Sequence, residues 1–173
     1  KIIDNELRDF RLGGAELPDD KKARFMQVQE ELAQLSAKFE ENILDATNEF
    51  ALYVDEAATL AGVPDDVLAM MKAAAETDGK TGWKLTLHMP SYLPVMQYAD
   101  NRDLREQLYR AYVTRASEFG KPEHPQGVGV HLDNTPLIAG ILKLRREAAE
   151  LLGFRSYAEV SLAAKMADTP AEV

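Results

Sequence analysis

The chain has 173 residues, a formal net charge of -9 and no cysteine. Its 46% hydrophobic and 28% charged residues are an ordinary globular balance, with length for one domain or one large subdomain. The acidity speaks against a phosphate-binding surface, the missing thiols exclude disulfides and Cys-ligated metals, and no apolar run approaches the roughly 18 residues that span a bilayer.

Ile3, Leu7 and Phe10 fall at helical spacing with no capping residue before them, so a helix is expected that already runs before Lys1 and stops at Gly13-Gly14. The opening residues are charged and carry no signal-peptide pattern, and the first is Lys rather than Met. Pro18 reads as the first residue of the next helix, with Asp19 and Asp20 in its positive first turn. Phe25, Val28, Leu32, Leu35, Phe39, Ile43, Ala46 and Phe50 then recur every three or four residues. This predicts a one-sided amphipathic rod of roughly 45 Å that ends near Asn48.

Phe50 to Val54 is short and β-prone. Val63-Pro64-Asp65-Asp66 opens a helix through Leu68, Met71 and Ala75 that closes at Gly79. Trp83, Leu85 and Leu87 alternate with Lys84, Thr86 and His88, the pattern of a half-buried strand. The two short strands are expected to pair antiparallel with the helix between them, since two strands alone are marginal.

Pro90 ends the strand, Ser91 is expected to cap a short helix to Ala99, and Asp100 or Asn101 to cap the next. In that helix Leu104, Leu108, Ala111, Tyr112 and Arg115 share one side. Phe119 to Asn134 is rich in Gly and Pro and reads as a loop, long enough that mobility is expected. Thr135-Pro136 reads as a cap and first turn, with Leu137, Ile141, Leu144, Ala148 and Leu151 buried and Gly153 as terminator. Ser156 to Glu159 has capping-box spacing and leads into Leu162 and Met166. Thr169-Pro170 reads as a further cap and first turn, cut short at Val173. The fold class expected is mainly α: an antiparallel helical bundle with one long amphipathic helix and a small two-stranded hairpin, residues 1–173 forming a single helical subdomain.

Catalytic signatures are missing. A zinc peptidase motif H-E-x-x-H sets two imidazoles one helical turn apart, and neither His88, His124 nor His131 begins one. His124 and His131 share a loop with Glu123 and Asp133, but a Gly/Pro loop does not pre-form a metal site, and solvated loop histidines are expected. His88 is expected to face solvent. There is no G-x-S-x-G elbow and no phosphate loop. Glu30, Glu31, Glu40 and Glu41 read as the wet face of the long helix. Arg102, Arg105, Arg110 and Arg115 are residues able to hold a peptide carboxylate, with surface ion pairs as the expected role. The methionines Met26, Met70, Met71, Met89, Met96 and Met166 read as core filling rather than as an adaptable peptide groove. Catalytic, cofactor-binding and metal-ligating residues in this chain are therefore expected to be none.

Several stretches, in order, resemble the amino-terminal half of the oligopeptidase A / thimet oligopeptidase family. They are Leu7 to Pro18, Leu35 to Asn42, Leu60 to Pro64, Pro90 to Met96, Asn101 to Arg105, Thr114 to Ser117, Asp133 to Thr135, Leu144-Arg145, and Leu151 to Phe154 onward through Lys165 to Ala167. The resemblance implies a cytoplasmic zinc metallopeptidase that cuts short peptides in a deep channel between two largely helical halves. Its zinc motif and glutamate ligand lie further toward the carboxy terminus than any residue here. Glu118 to His131 departs from the family pattern. The expectation is a fragment, inactive alone, that forms part of one channel wall. Zinc would belong to the parent enzyme only, the substrates would be short peptides, no nucleic acid or membrane would bind, and self-association through exposed apolar faces would be open to it. The alternative is a free-standing helical binding or oligomerisation module without activity.

Overall fold

The computed structural model describes residues 1–119 and 132–173. The elements follow the periodicities of the sequence. Helix α1 spans Ile2–Leu12 and α2 spans Asp19–Glu49. Strand β1 covers Leu52–Val54, a 3-10 turn Ala57–Leu60, α3 Asp65–Thr77 and β2 Trp83–Leu85. Then come α4 (Met89–Tyr98), α5 (Arg102–Thr114), α6 (Thr135–Leu151) and α7 (Tyr157–Leu162). The architecture is mainly α with one two-stranded antiparallel sheet, as expected. The strands pair in the register Leu52↔Leu85, Tyr53↔Lys84 and Val54↔Trp83. Backbone contacts divide the chain into two compact units, residues 1–39 with 136–173, and residues 40–135.

In the first unit Phe25 and Val28 of α2 bury against Leu144 and Ala148 of α6, with Leu17, Leu32, Leu35, Leu151 and Leu152 packed around them. Gly14 takes φ +81° between α1 and α2, and an added Cβ there would meet the Phe25 ring at 2.8 Å. The glycine thus serves both the left-handed turn and the close approach of that ring. Beside the apolar seam, Arg24 grips Glu147 through two bonds, Nε to Oε1 at 2.6 Å and Nη2 to Oε2 at 2.8 Å.

In the second unit one cluster joins the hairpin, α3, α4 and α5. Leu60, Met71, Leu85, Leu87, Val95 and Leu108 lie at its centre, each sealed from solvent. Two polar devices pin the edges. Tyr53 Oη donates to Asp78 Oδ2 at 2.6 Å while Lys84 Nζ reaches the same oxygen, so the cross-strand pair Tyr53–Lys84 is tied to the end of α3. At Gly62 the chain runs so close to α4 that the next residues bond across, with Asp100 N donating to Ala61 O at 2.8 Å. A smaller cluster packs Ala46 and Ile43 of α2 against Ala116 and Leu132. Beside it Asn42 Nδ2 donates to Asn134 Oδ1 at 2.8 Å, both amides buried.

Local expectations fail in four places. Pro18 precedes α2 rather than opening it, and its carbonyl accepts from Lys21 and Lys22. Ser91 lies inside the first turn of α4; His88 takes the cap position, and Ser91 Oγ instead accepts the Thr86 N–H at 2.9 Å. Thr135 is the first residue of α6, and Asp133 Oδ1 accepts its N–H at 2.8 Å. Met166 continues no buried stripe: α7 has ended at Leu162 and the side chain is 100% exposed. Thr169 to Glu172 forms a turn in which Glu172 accepts from Thr169 Oγ1 and Asp168 N. The Gly/Pro stretch from Gly120 to His131 lies outside the described residues.

Gly62 and Gly79 both hold positive φ, +89° and +69°. A Cβ on Gly62 would run into the Tyr98 carbonyl oxygen, whereas one on Gly79 meets nothing within 4 Å. Gly79→Ala is therefore expected to cost about 1 kcal/mol, the left-handed penalty alone. Gly62→Ala should cost about 2–5 kcal/mol, because backbone must also move; urea denaturation of the two variants reads the difference. A second expectation concerns pH. Hydrogen bonding from Arg24 holds the Glu147 carboxyl below its ordinary value. A lowered folded pKa stabilises above the unfolded pKa of about 4.3 and is lost as pH falls through the folded value. Glu147→Gln should thus lower Tm at pH 7 and lose that effect on acidification below pH about 4, measured by circular dichroism melts.

Candidate functional site

The candidate site is an open cleft of about 430 Å³ in the second unit, lined by Met96, Arg102, Asp103, Arg105, Glu106 and Tyr109. Helix α5 builds most of it. Asn101 Oδ1 caps that helix by accepting the Asp103 and Leu104 N–H groups, each at 3.1 Å. Leu104 and Leu108 bury one face against the apolar cluster. The opposite face then carries Arg102, Arg105, Glu106 and Tyr109, the i, i+3, i+4, i+7 set that forms one stripe on a helix. Met96 on α4 packs on the cluster with part of its side chain and lines the cleft.

The four arginines singled out in the sequence have separate fates. Arg110 donates to Glu106 Oε1 at 2.8 Å, one turn away on the surface. Arg115 is structural: its guanidinium carbon lies 3.7 Å from the Tyr112 ring centroid, Nη1 donates to Tyr112 O at 2.7 Å, and Tyr112 stacks on Tyr92 at 4.4 Å between centroids. Burial and the neighbouring tyrosines push the Tyr92 hydroxyl's pKa up. Arg102 and Arg105 carry no ion pair among the described residues. The surface-pair expectation holds for Arg110 and fails for these two; Glu106, one turn from Arg102, is engaged with Arg110.

The remaining sequence candidates are dispersed. Glu30, Glu31, Glu40 and Glu41 are exposed on α2, and Glu31 supports Arg24 at 3.1 Å. His88 is exposed. Asp133 is occupied as a cap, and hydrogen bonds from the Thr135 hydroxyl and amide lower its pKa. Glu123, His124 and His131 lie outside the described residues. Among the described residues no three His, Asp or Glu side chains gather in a way that could hold a metal, and no helix is long and apolar enough to cross a membrane. Of the methionines Met71 fills core and Met96 does so in part; Met26, Met70, Met89 and Met166 are exposed, against the core-filling expectation. The cleft itself escaped the sequence reading. Its signal was present in the polar stripe of α5, but a polar stripe shows neither partners nor concavity.

Residues 95–173, which include the cleft, match the model of peptidase family M3. That stretch is similar to the M3 peptidases, in keeping with the resemblance carried by the chain's motifs. Within that class its likeness runs to oligopeptidase A. It is 47% identical over 173 residues to the oligopeptidase A of Salmonella typhimurium, covering 100% of this chain and 25% of the relative, and 47% identical to that of Escherichia coli with the same shares. The probable cytosolic oligopeptidase A of Arabidopsis thaliana is 44% identical over 96% of this chain and 23% of its own length. The chain therefore spans about a quarter of the length of the curated relatives it matches.

Side-chain truncation separates the arginines. Arg105→Gln should leave stability within about 0.5 kcal/mol, as for an unpaired surface residue. Arg115→Met should cost about 1–2 kcal/mol through the lost cation–π contact and hydrogen bond. Chemical denaturation followed at Trp83 reads both.

Proposed function

We propose that this chain is a wall-forming stretch of a metal-dependent oligopeptidase that hydrolyses short peptides in the cytoplasm. The observation that carries the reading is identity approaching one residue in two along all 173 positions with proteins named oligopeptidase A. The name of the Arabidopsis relative supports the compartment. The residues present do not fit a catalytic zinc: three histidines stand in the sequence without an H-E-x-x-H, Asp133 accepts the Thr135 N–H and Glu147 is paired with Arg24. The chemistry is accordingly assigned to sequence beyond this chain, and the chain's own part is to restrict access and position peptides. Ile3, Leu7 and Phe10 lie exposed along α1 at i, i+4 and i+7, which supports self-association when the chain stands alone.

The test uses a quenched-fluorescent peptide of eight to ten residues (about the size of a short substrate) and added zinc. This chain should show no turnover and bind zinc only substoichiometrically. A longer product that contains both this sequence and an H-E-x-x-H motif should cleave the peptide and lose activity to a chelator. Stoichiometric zinc together with cleavage by the 173-residue chain would overturn the reading.

A further inference from the structure

We propose that the α4–α5 cleft is a docking site for the free carboxylate at the C-terminal end of a short peptide, with Arg102 and Arg105 as its anchors. The inference rests on the peptide-handling role above and assigns it a place. Arg102 and Arg105 stand three residues apart on one helical face, a spacing that brings Cβ atoms to about 5–6 Å and lets two guanidinium groups converge on one carboxylate. Guanidinium and carboxylate are both planar and match two bonds to two. The partner inventory makes these two the available pair: Arg110 is engaged by Glu106 and Arg115 by Tyr112, whereas Arg102 and Arg105 have no acid among the described residues. In a chain carrying 29 acidic against 20 basic residues, two arginines on one helical face with no ion pair among the described residues are the feature that invites an outside anion, the nearby Glu106 being bonded to Arg110.

The rest of the cleft narrows the ligand. Its volume, about 430 Å³, suits a peptide end rather than a folded surface. Met96 and Tyr109 offer a deformable thioether and an amphipathic ring to an apolar terminal side chain. Asp103 and Glu106, also on the lining, repel a second negative charge, so peptides with acidic residues beside the terminus are disfavoured. The Asp103 and Leu104 N–H groups at the start of α5 take no part, because Asn101 Oδ1 already accepts both.

The experiment is an amide chemical-shift titration of this chain with the tripeptide Ala-Leu-Phe as free acid, and with its C-terminal amide. The free acid should shift resonances of α5 and the end of α4, and the amide should bind at least tenfold more weakly. Arg102→Gln and Arg105→Gln should each lower affinity for the free acid by tenfold or more, while Arg146→Gln, on a surface pair with Glu150, leaves it unchanged. Equal binding of acid and amide, or no shifts with the free acid, would overturn the proposal. Tighter binding of an acidic peptide with an amidated end would do so too, and would make the cleft a seat for an acidic protein segment. Binding is read here without hydrolysis. A longer product that fails to cleave peptides would therefore sink the peptidase reading alone, and a failed titration would sink the anchor alone.

Discussion

The burial of Leu104 and Leu108 is the constraint from which the rest of the second unit takes its bearings. These two side chains lie in the same cluster as Leu60, Met71, Leu85 and Val95, and they fix the rotation of α5 about its axis. Once that rotation is set, the opposite face has no freedom. Arg102, Arg105 and Tyr109 must look outward along one line, and Met96 of α4 must flank them. A helix turned by one residue would bury an arginine and expose a leucine, at a cost of several kcal/mol. The cleft is thus a by-product of core packing made useful by the residues that happen to stand over it.

What distinguishes those residues is company rather than identity. All four arginines of this region are chemically equal in the sequence, yet Arg115 lies over a tyrosine stack while Arg110 spends its charge one turn away. Arg115 Nε is buried without a hydrogen-bond partner among the described residues, and the side chain is held by ring contact and by the Tyr112 carbonyl. Such a residue supports the packing of α5 on α4. Arg102 and Arg105, without an ion pair among the described residues, are left to the anchoring role proposed above.

Much of the fold was legible because periodicity and punctuation agreed. Helix α2 ends within a residue of the expected place, β1 and β2 pair antiparallel around α3, and glycines at 14, 79 and 153 take positive φ where helices stop. What was hidden has a common physical cause, namely that a polar side chain has several partners open to it and only packing selects one. Ser91 had the profile of a cap but was drawn to an orphan amide at Thr86 once Leu85 and Leu87 were buried. Asn42, which the periodicity of α2 did not single out, is buried and donates to the buried Asn134. Met166 matched a helical stripe that ceased before reaching it. The cleft belongs to the same group, since Glu106 stands one turn from both Arg102 and Arg110 and only the folded structure shows that it bonds Arg110. The likeness to oligopeptidase A was legible throughout, because it is spread over ordered motifs and does not depend on any one contact.

The placement of the single tryptophan has a practical side. Trp83 sits in β2 opposite Val54, half-buried against the apolar cluster of the second unit. With no other indole in the chain, its emission comes from a single site, in the half that holds α5. Tryptophan fluorescence from this protein therefore has one known origin, without any label having to be introduced.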